Sequence, residues 1–164
     1  MAEAAAGSGI SDIKARYLQR KAAALQDLAG PKASARSVRP ALKRLAHLAD
    51  ECLRELWAHA GLGAPLALAA VGGFGRGELF PFSDVDVLVL APDGQSPDAD
   101  PACRSRIEAF ISSCWDCGLD IGSSVRMVSE CIDEAAKDVT VQTSLLESRC
   151  IAGDSALCRA PGTA

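Results

Sequence analysis

From Ala41 onward the apolar residues Leu42, Leu45, Leu48, Cys52, Leu53, Leu56 and Trp57 recur at steps of three and four, the period of one helix face. This spacing predicts an amphipathic helix that closes near Gly61 and Gly63. Its charged positions, Lys43, Arg44, Asp50, Glu51, Arg54 and Glu55, read as a solvated face. A shorter helix is expected over about 11–28, ended by Gly30-Pro31, and 31–40 reads as a Ser/Arg-rich loop. The period then changes. Residues 66–71 and 85–90 are short apolar runs, bounded by Pro65 and Gly72 and by Ala91-Pro92-Asp93-Gly94, and read as buried strands. A polar linker through Pro101 reads as a loop, and 102–117 as a second helix, stopped by Gly118. Over 119–127 the chain alternates: Leu119, Ile121, Val125 and Met127 point one way, Asp120, Gly122, Ser124 and Arg126 the other. Ser129 reads as the cap of a helix to about 138, followed by a helix over 140–147 and a last strand over 148–152.

These elements give an α/β (α+β) class: a small mixed sheet, helices on one side of it and a helical N-terminal extension. The expected organisation is a flexible or helical segment at 1–37, a domain at 38–155 with its core at 66–155, and a tail at 156–164. With 49% apolar but only 4% aromatic residues, the core must be built mostly from Ala, Leu, Val and Ile. A net charge of −4 without a long basic run argues against nucleic-acid and anionic-membrane partners. The opening residues lack a basic n-region and a continuous apolar stretch, so neither a secretory signal nor a membrane span is expected, and the cytoplasm is the expected location. Of seven cysteines only Cys114 and Cys117 are closely spaced, and the two histidines, His47 and His59, lie far upstream. No zinc pattern results. Cys103 and Cys114 share a helix face with Ile107, Phe110 and Ile111 and read as buried, reduced thiols.

Chemistry concentrates in AAVGGFGRGELFPFSDVDVLVL. Gly72 and Gly73 end an apolar run, and ten residues separate them from Asp84-Val85-Asp86. Glycines let backbone N–H groups approach phosphate oxygens. Residues two apart on a strand face the same side, so Asp84 and Asp86 project together while Val85 and Val87 anchor the other face. Two neighbouring carboxylates repel unless a cation lies between them, which points to a Mg²⁺ site shared with substrate phosphates. Other phosphate motifs fail: Glu78 stands where G-x-G-x-x-G needs its last glycine, and no G-K-[ST] follows. Arg76 reads either as a triphosphate contact or as a salt-bridge partner of Glu78 or a loop acid. Ser83 either caps the turn before the strand or bonds a phosphate. If the 119–127 strand lies beside the Asp84/Asp86 strand, Asp120 completes a carboxylate triad that holds metal and activates an attacking hydroxyl; otherwise it is an edge-strand acid in water.

Small-Gly-Gly, ten residues, then Asp-x-Asp resembles the signature of the DNA polymerase β-like nucleotidyltransferase superfamily. Within it, VGGFGRGELFPFSDVDVLVL and WDCGLDIGSSVRMVSECIDEAAKDVTVQTSLLESRCIAGD resemble the PII uridylyltransferase/uridylyl-removing family, over about 67–154. The resemblance implies a polymerase β-like fold and a nucleotide-phosphate turn at Gly72 and Gly73. It also implies metal-binding catalytic carboxylates at Asp84 and Asp86, with the third acid at Asp120. It further implies Mg²⁺-dependent transfer of UMP from UTP to a tyrosine of the PII signalling protein. The GRGEL segment favours this branch over an adenylyl-transferring relative with a protein or small-molecule acceptor. Family members are longer, with a helical segment, an HD phosphohydrolase domain and ACT domains. No His-Asp pair occurs in this chain, so UMP removal is not expected of it. The chain reads as a fragment or a truncated relative, and a non-catalytic nucleotide- or partner-binding remnant is the further alternative.

Overall fold

The computed structural model describes residues 9–31 and 33–159. The first eight residues and the last five, on which the expectations of a frayed start and a tail partly rest, lie outside the described residues.

Two long helices come first, α1 (Ile10–Ala29) and α2 (Ala35–His59). Helix α2 starts six residues before the position its apolar period suggests, so the expected loop over 31–40 is largely helical. The start is local chemistry. The Ser37 hydroxyl accepts from the Ser34 N–H (2.8 Å) and donates to the Ser34 carbonyl (2.9 Å), organising the first turn. Pro40 then falls near the helix start, where the missing N–H removes one exposed bond rather than breaking a buried ladder. Buried Leu45, Ala49, Cys52, Leu53 and Leu56 of α2 meet Ile13 and Tyr17 of α1 in one apolar cluster.

Among the described residues the sheet has four strands in the order β3-β2-β1-β4. These are β1 (Ala67–Ala70), β2 (Val85–Ala91), β3 (Ile121–Met127) and β4 (Arg149–Gly153). β1 is antiparallel to both β2 and β4, whereas β2 and β3 run parallel, so the sheet is mixed as expected. The β2–β3 crossover carries α4 (Pro101–Asp116), started by Asp100, whose carboxylate accepts from the Ala102 N–H. The linker before it also holds a short 3₁₀ turn, Pro97–Ala99.

Alternation along each strand feeds two cores. Leu68, Ala70, Val85, Val87, Val89 and Ile151 join α1, α2 and α4 in the larger one, where Trp57 and Phe110 meet edge to face at 5.4 Å. Ala67, Ala69, Leu88 and Leu90 pack on the opposite face against Cys131, Leu145 and Cys158. Those residues belong to α5 (Val128–Lys137), α6 (Val139–Leu146) and the one-turn α7 (Ser155–Arg159). Helices therefore cover both faces, not the one side expected. The expected cap at Ser129 also shifts: α5 starts from Met127, whose N–H donates to Glu130 (2.7 Å), while the Ser129 N–H donates to Asp93 (2.8 Å).

Cys52, Cys114, Cys117, Cys131 and Cys158 are buried, Cys103 and Cys150 partly so, and all seven are free thiols. Burial pushes the Cys114 thiol up to about 12, so it stays protonated and inert, as the helical spacing suggests. No helix among the described residues is long and apolar enough to cross a membrane.

Candidate functional site

The glycine pair is not a simple turn. Residues Gly72–Gly75 form a single helical turn, α3, entered from extended Val71 straight off β1. Gly72 has φ +60°, a conformation that favours glycine, and its N–H donates to the Ser144 hydroxyl of α6 at 3.1 Å. Gly75 is pressed against backbone: a Cβ there would collide with the Glu147 carbonyl and lie 3.2 Å from that of Ala70. Only a residue without a side chain lets α3 sit between β1 and the end of α6.

Asp84 lies one residue before β2 and Asp86 within it. Val85 and Val87, each 2% exposed, anchor the opposite face as the alternation predicts. Parallel pairing sets Asp86 opposite Gly122, and the Val85 N–H donates to the Asp120 carbonyl at 2.7 Å. The strand bearing Asp120 thus lies beside the strand bearing the acid pair. The Asp86 carboxylate occupies a slot between two glycines: a Cβ on Gly122 would stand 2.6 Å from one of its oxygens, and one on Gly72 3.4 Å from the other. Partial burial, and then the neighbouring Asp84 charge, raises the Asp86 pKa.

A cavity of about 440 Å³ is lined by Gly73, Arg76, Ser83, Asp84 and Asp86, with Phe80 and the 97% exposed Phe82 at its rim. Five of the sequence-derived positions therefore converge. Gly72 backs Asp86 without lining this cavity, and exposed Asp120 is outside the lining. Among the described residues no three His, Cys, Asp or Glu side chains come together as a metal cluster. The acid pair itself fits a hard divalent cation: its donors are all oxygen, and a bound cation offsets both the burial and the Asp84 charge that raise Asp86.

Arg76 pairs with Glu147 at 2.7 Å, while Glu78 pairs with Arg39 at 2.9 Å. The salt-bridge reading of Arg76 is met with a different acid, and its guanidinium still faces the cavity. At Ser83 the backbone N–H closes a turn onto the Phe80 carbonyl (3.1 Å).

Asp50 corrects the expected solvated face of α2. It is 6% exposed and forms an ion pair with Arg149 of β4. Arg149 also donates to the Phe74 carbonyl of α3 at 3.0 Å and lies 5.1 Å from the Phe74 ring centroid. Arg54, on the same face, donates to the Ile151 carbonyl at 2.9 Å. Asp50 and Arg149 thus hold the glycine helix against the sheet. The available signal was the position of Asp50, four residues after Ala46 and three before Leu53, within the apolar seam.

A family model described as "Nucleotidyltransferase domain" matches residues 49–116, which include the glycine pair and both Asp84 and Asp86. A bifunctional uridylyltransferase/uridylyl-removing enzyme of Burkholderia mallei (strain SAVP1) is 55% identical over 143 residues, covering 85% of this chain and 16% of that enzyme. The enzymes of that name from Burkholderia pseudomallei strains 668 and K96243 match at the same 55% identity and the same coverage. The chain thus spans 16% of the length of these relatives.

Proposed function

Because this chain carries a nucleotidyltransferase domain homologous to that of the bifunctional uridylyltransferase/uridylyl-removing enzymes, we propose that it transfers UMP from UTP to a tyrosine hydroxyl of the PII nitrogen-regulatory protein. The observation that carries this reading is the convergence of Gly73, Arg76, Ser83, Asp84 and Asp86 on one cavity. In this reading the tyrosine oxygen attacks the α-phosphorus in line, the bond from that phosphorus to the α,β-bridging oxygen breaks, and pyrophosphate leaves. Asp84 and Asp86 hold Mg²⁺, which when bound neutralises phosphate charge and favours the leaving group. Backbone N–H groups at the start of α3 and the Ser83 hydroxyl position the phosphates, and Arg76 contributes positive charge beside them. Asp120 takes the proton of the attacking hydroxyl after its side chain turns toward the acid pair. The domain boundaries proposed with this reading are 38–155, with the core at 66–155.

A second reading rests on Asp120 lying outside the cavity: the domain binds nucleotide and does not transfer it. One experiment separates the two. Labelled UTP, Mg²⁺ and PII are incubated with the chain, and label on PII and released pyrophosphate are both measured. Transfer that falls by at least about a hundredfold in Asp86→Asn supports uridylylation. UTP binding without label on PII supports the binding-only reading, and a preference for ATP over UTP removes the uridylyl assignment.

A further inference from the structure

The cavity that holds Asp84 and Asp86 presents more polar than apolar surface, with Phe80 and Phe82 at its rim. A second cavity of about 280 Å³ lies on the same face of the sheet, between β2, β3 and helices α5 and α6. Its floor includes Leu88, two residues beyond Asp86 on the same side of β2. Its walls carry Ser124 and Arg126 from β3, Glu134 from α5, and Thr140 and Ser144 from α6.

Three observations connect this cavity to the acid pair. In the parallel register Gly122, Ser124 and Arg126 follow one another opposite Asp86, Leu88 and Leu90, so both sites stand on one continuous strip. Ser144 lines the second cavity, and its hydroxyl accepts the Gly72 N–H at 3.1 Å. Ser144 thus touches both the phosphate-side turn and the neighbouring hollow. Finally, neither Arg126 nor Glu134 has an ion-pair partner within 4 Å among the described residues. An apolar floor flanked by an unpaired guanidinium and an unpaired carboxylate is suited to a flat heterocycle with mixed hydrogen-bonding edges.

We propose that this second cavity is the nucleoside subsite, and that Arg126 and Glu134 read the base. The proposal rests on the nucleotidyl-transfer reading and deepens it. Arg126 lies four residues along β3 from Gly122, about 13 Å at the usual rise of a strand. That backbone separation is on the scale of the span from the phosphates to the base of one nucleotide. A uracil edge presents carbonyl acceptors on either side of an N3–H donor. The guanidinium supplies donors for a carbonyl, and the carboxylate accepts the N3–H. Leu88 supports the ring, and Ser124 and Thr140 are placed for the sugar hydroxyls.

The test is equilibrium binding, by calorimetry, of UTP, ATP and inorganic tripolyphosphate to the unaltered chain and to Arg126→Met and Glu134→Gln, with Mg²⁺ present throughout. The unaltered chain is expected to bind UTP more tightly than tripolyphosphate. Arg126→Met is expected to weaken UTP by about tenfold, the cost of one charged hydrogen bond, and Glu134→Gln by less. Tripolyphosphate affinity should be unchanged in both, which also reports that the variants are folded. Equal affinity of the unaltered chain for UTP and tripolyphosphate, or variants that bind UTP normally, overturns the subsite while leaving the phosphate site intact. An unaltered chain that binds neither ligand overturns both readings.

Discussion

The two faces of the sheet are built for different work. On one, Val85, Val87 and Val89 disappear under α1, α2 and α4 in a core that includes Phe110, Leu53 and Leu56, all at most 2% exposed. On the other, the same strand presents Asp86, then Leu88 and Leu90, beneath shorter helices and two open cavities. A single residue step along β2 switches between them. The deep face carries the larger core, while the shallow face combines a smaller core with the side-by-side carboxylates.

This division is open to attack, starting where the effect is largest. Phe110→Ala on the deep face removes a fully buried ring packed against Trp57, and should cost about 3–5 kcal/mol in urea unfolding. A loss below about 1 kcal/mol would place the stability elsewhere. Asp50→Ala tests the tie between the faces. It leaves Arg149 partly buried without its acid, and an unfolding loss of about 2 kcal/mol is expected, with a weaker transfer reaction because Phe74 and α3 lose their anchor. If stability falls and transfer does not, Arg149 has no part in positioning the glycine helix.

Gly122→Ala should act the other way round. The added methyl meets the Asp86 carboxylate, a movable group, so stability should change by less than about 1 kcal/mol while Mg²⁺-dependent transfer falls roughly tenfold. Equal transfer in the variant would show that the orientation of Asp86 is not critical. The smallest effect concerns pH. Because the folded Asp86 pKa is raised, the metal-free folded state binds protons more readily than the unfolded chain. Stability from this group is therefore present at low pH and lost as pH rises through the carboxylate range. Asp86→Asn should remove that slope and leave the metal-free protein slightly more stable at neutral pH, measured as thermal midpoints with a chelator present. A variant less stable than the parent at neutral pH would contradict the strain assigned to the acid pair.

Much of this organisation is legible in the residues themselves. The α2 stripe, the buried runs at β1 and β2, and the side-by-side projection of Asp84 and Asp86 follow from local period alone. What escapes is non-local. The place of Asp50 in the apolar seam marks it as buried, but its partner Arg149 comes from β4, 99 residues away. The second helical layer is hidden because the amphipathic pattern of α5 does not say which face of the sheet it covers, and α6 is short with only Leu145 buried. The start of α2 is obscured by Pro40, which argues for a break when read without the Ser34–Ser37 cap. Asp120 is only half legible: the register sets its backbone beside Val85, but its exposed side chain lies outside the lining of the acid-pair cavity, which the local pattern does not reveal.

The position of β4 has a consequence for how the domain comes into being. β4 pairs with β1, and it carries the arginine that clasps the glycine helix formed some 75 residues earlier. A nascent chain that has already emerged through Asp86 therefore holds every acid of the pair but not the clasp that seats the glycine helix. Such long-range closure is slow compared with helix formation. The glycine helix should therefore reach its final seat in a late step, when Arg149 docks, rather than gradually with chain length.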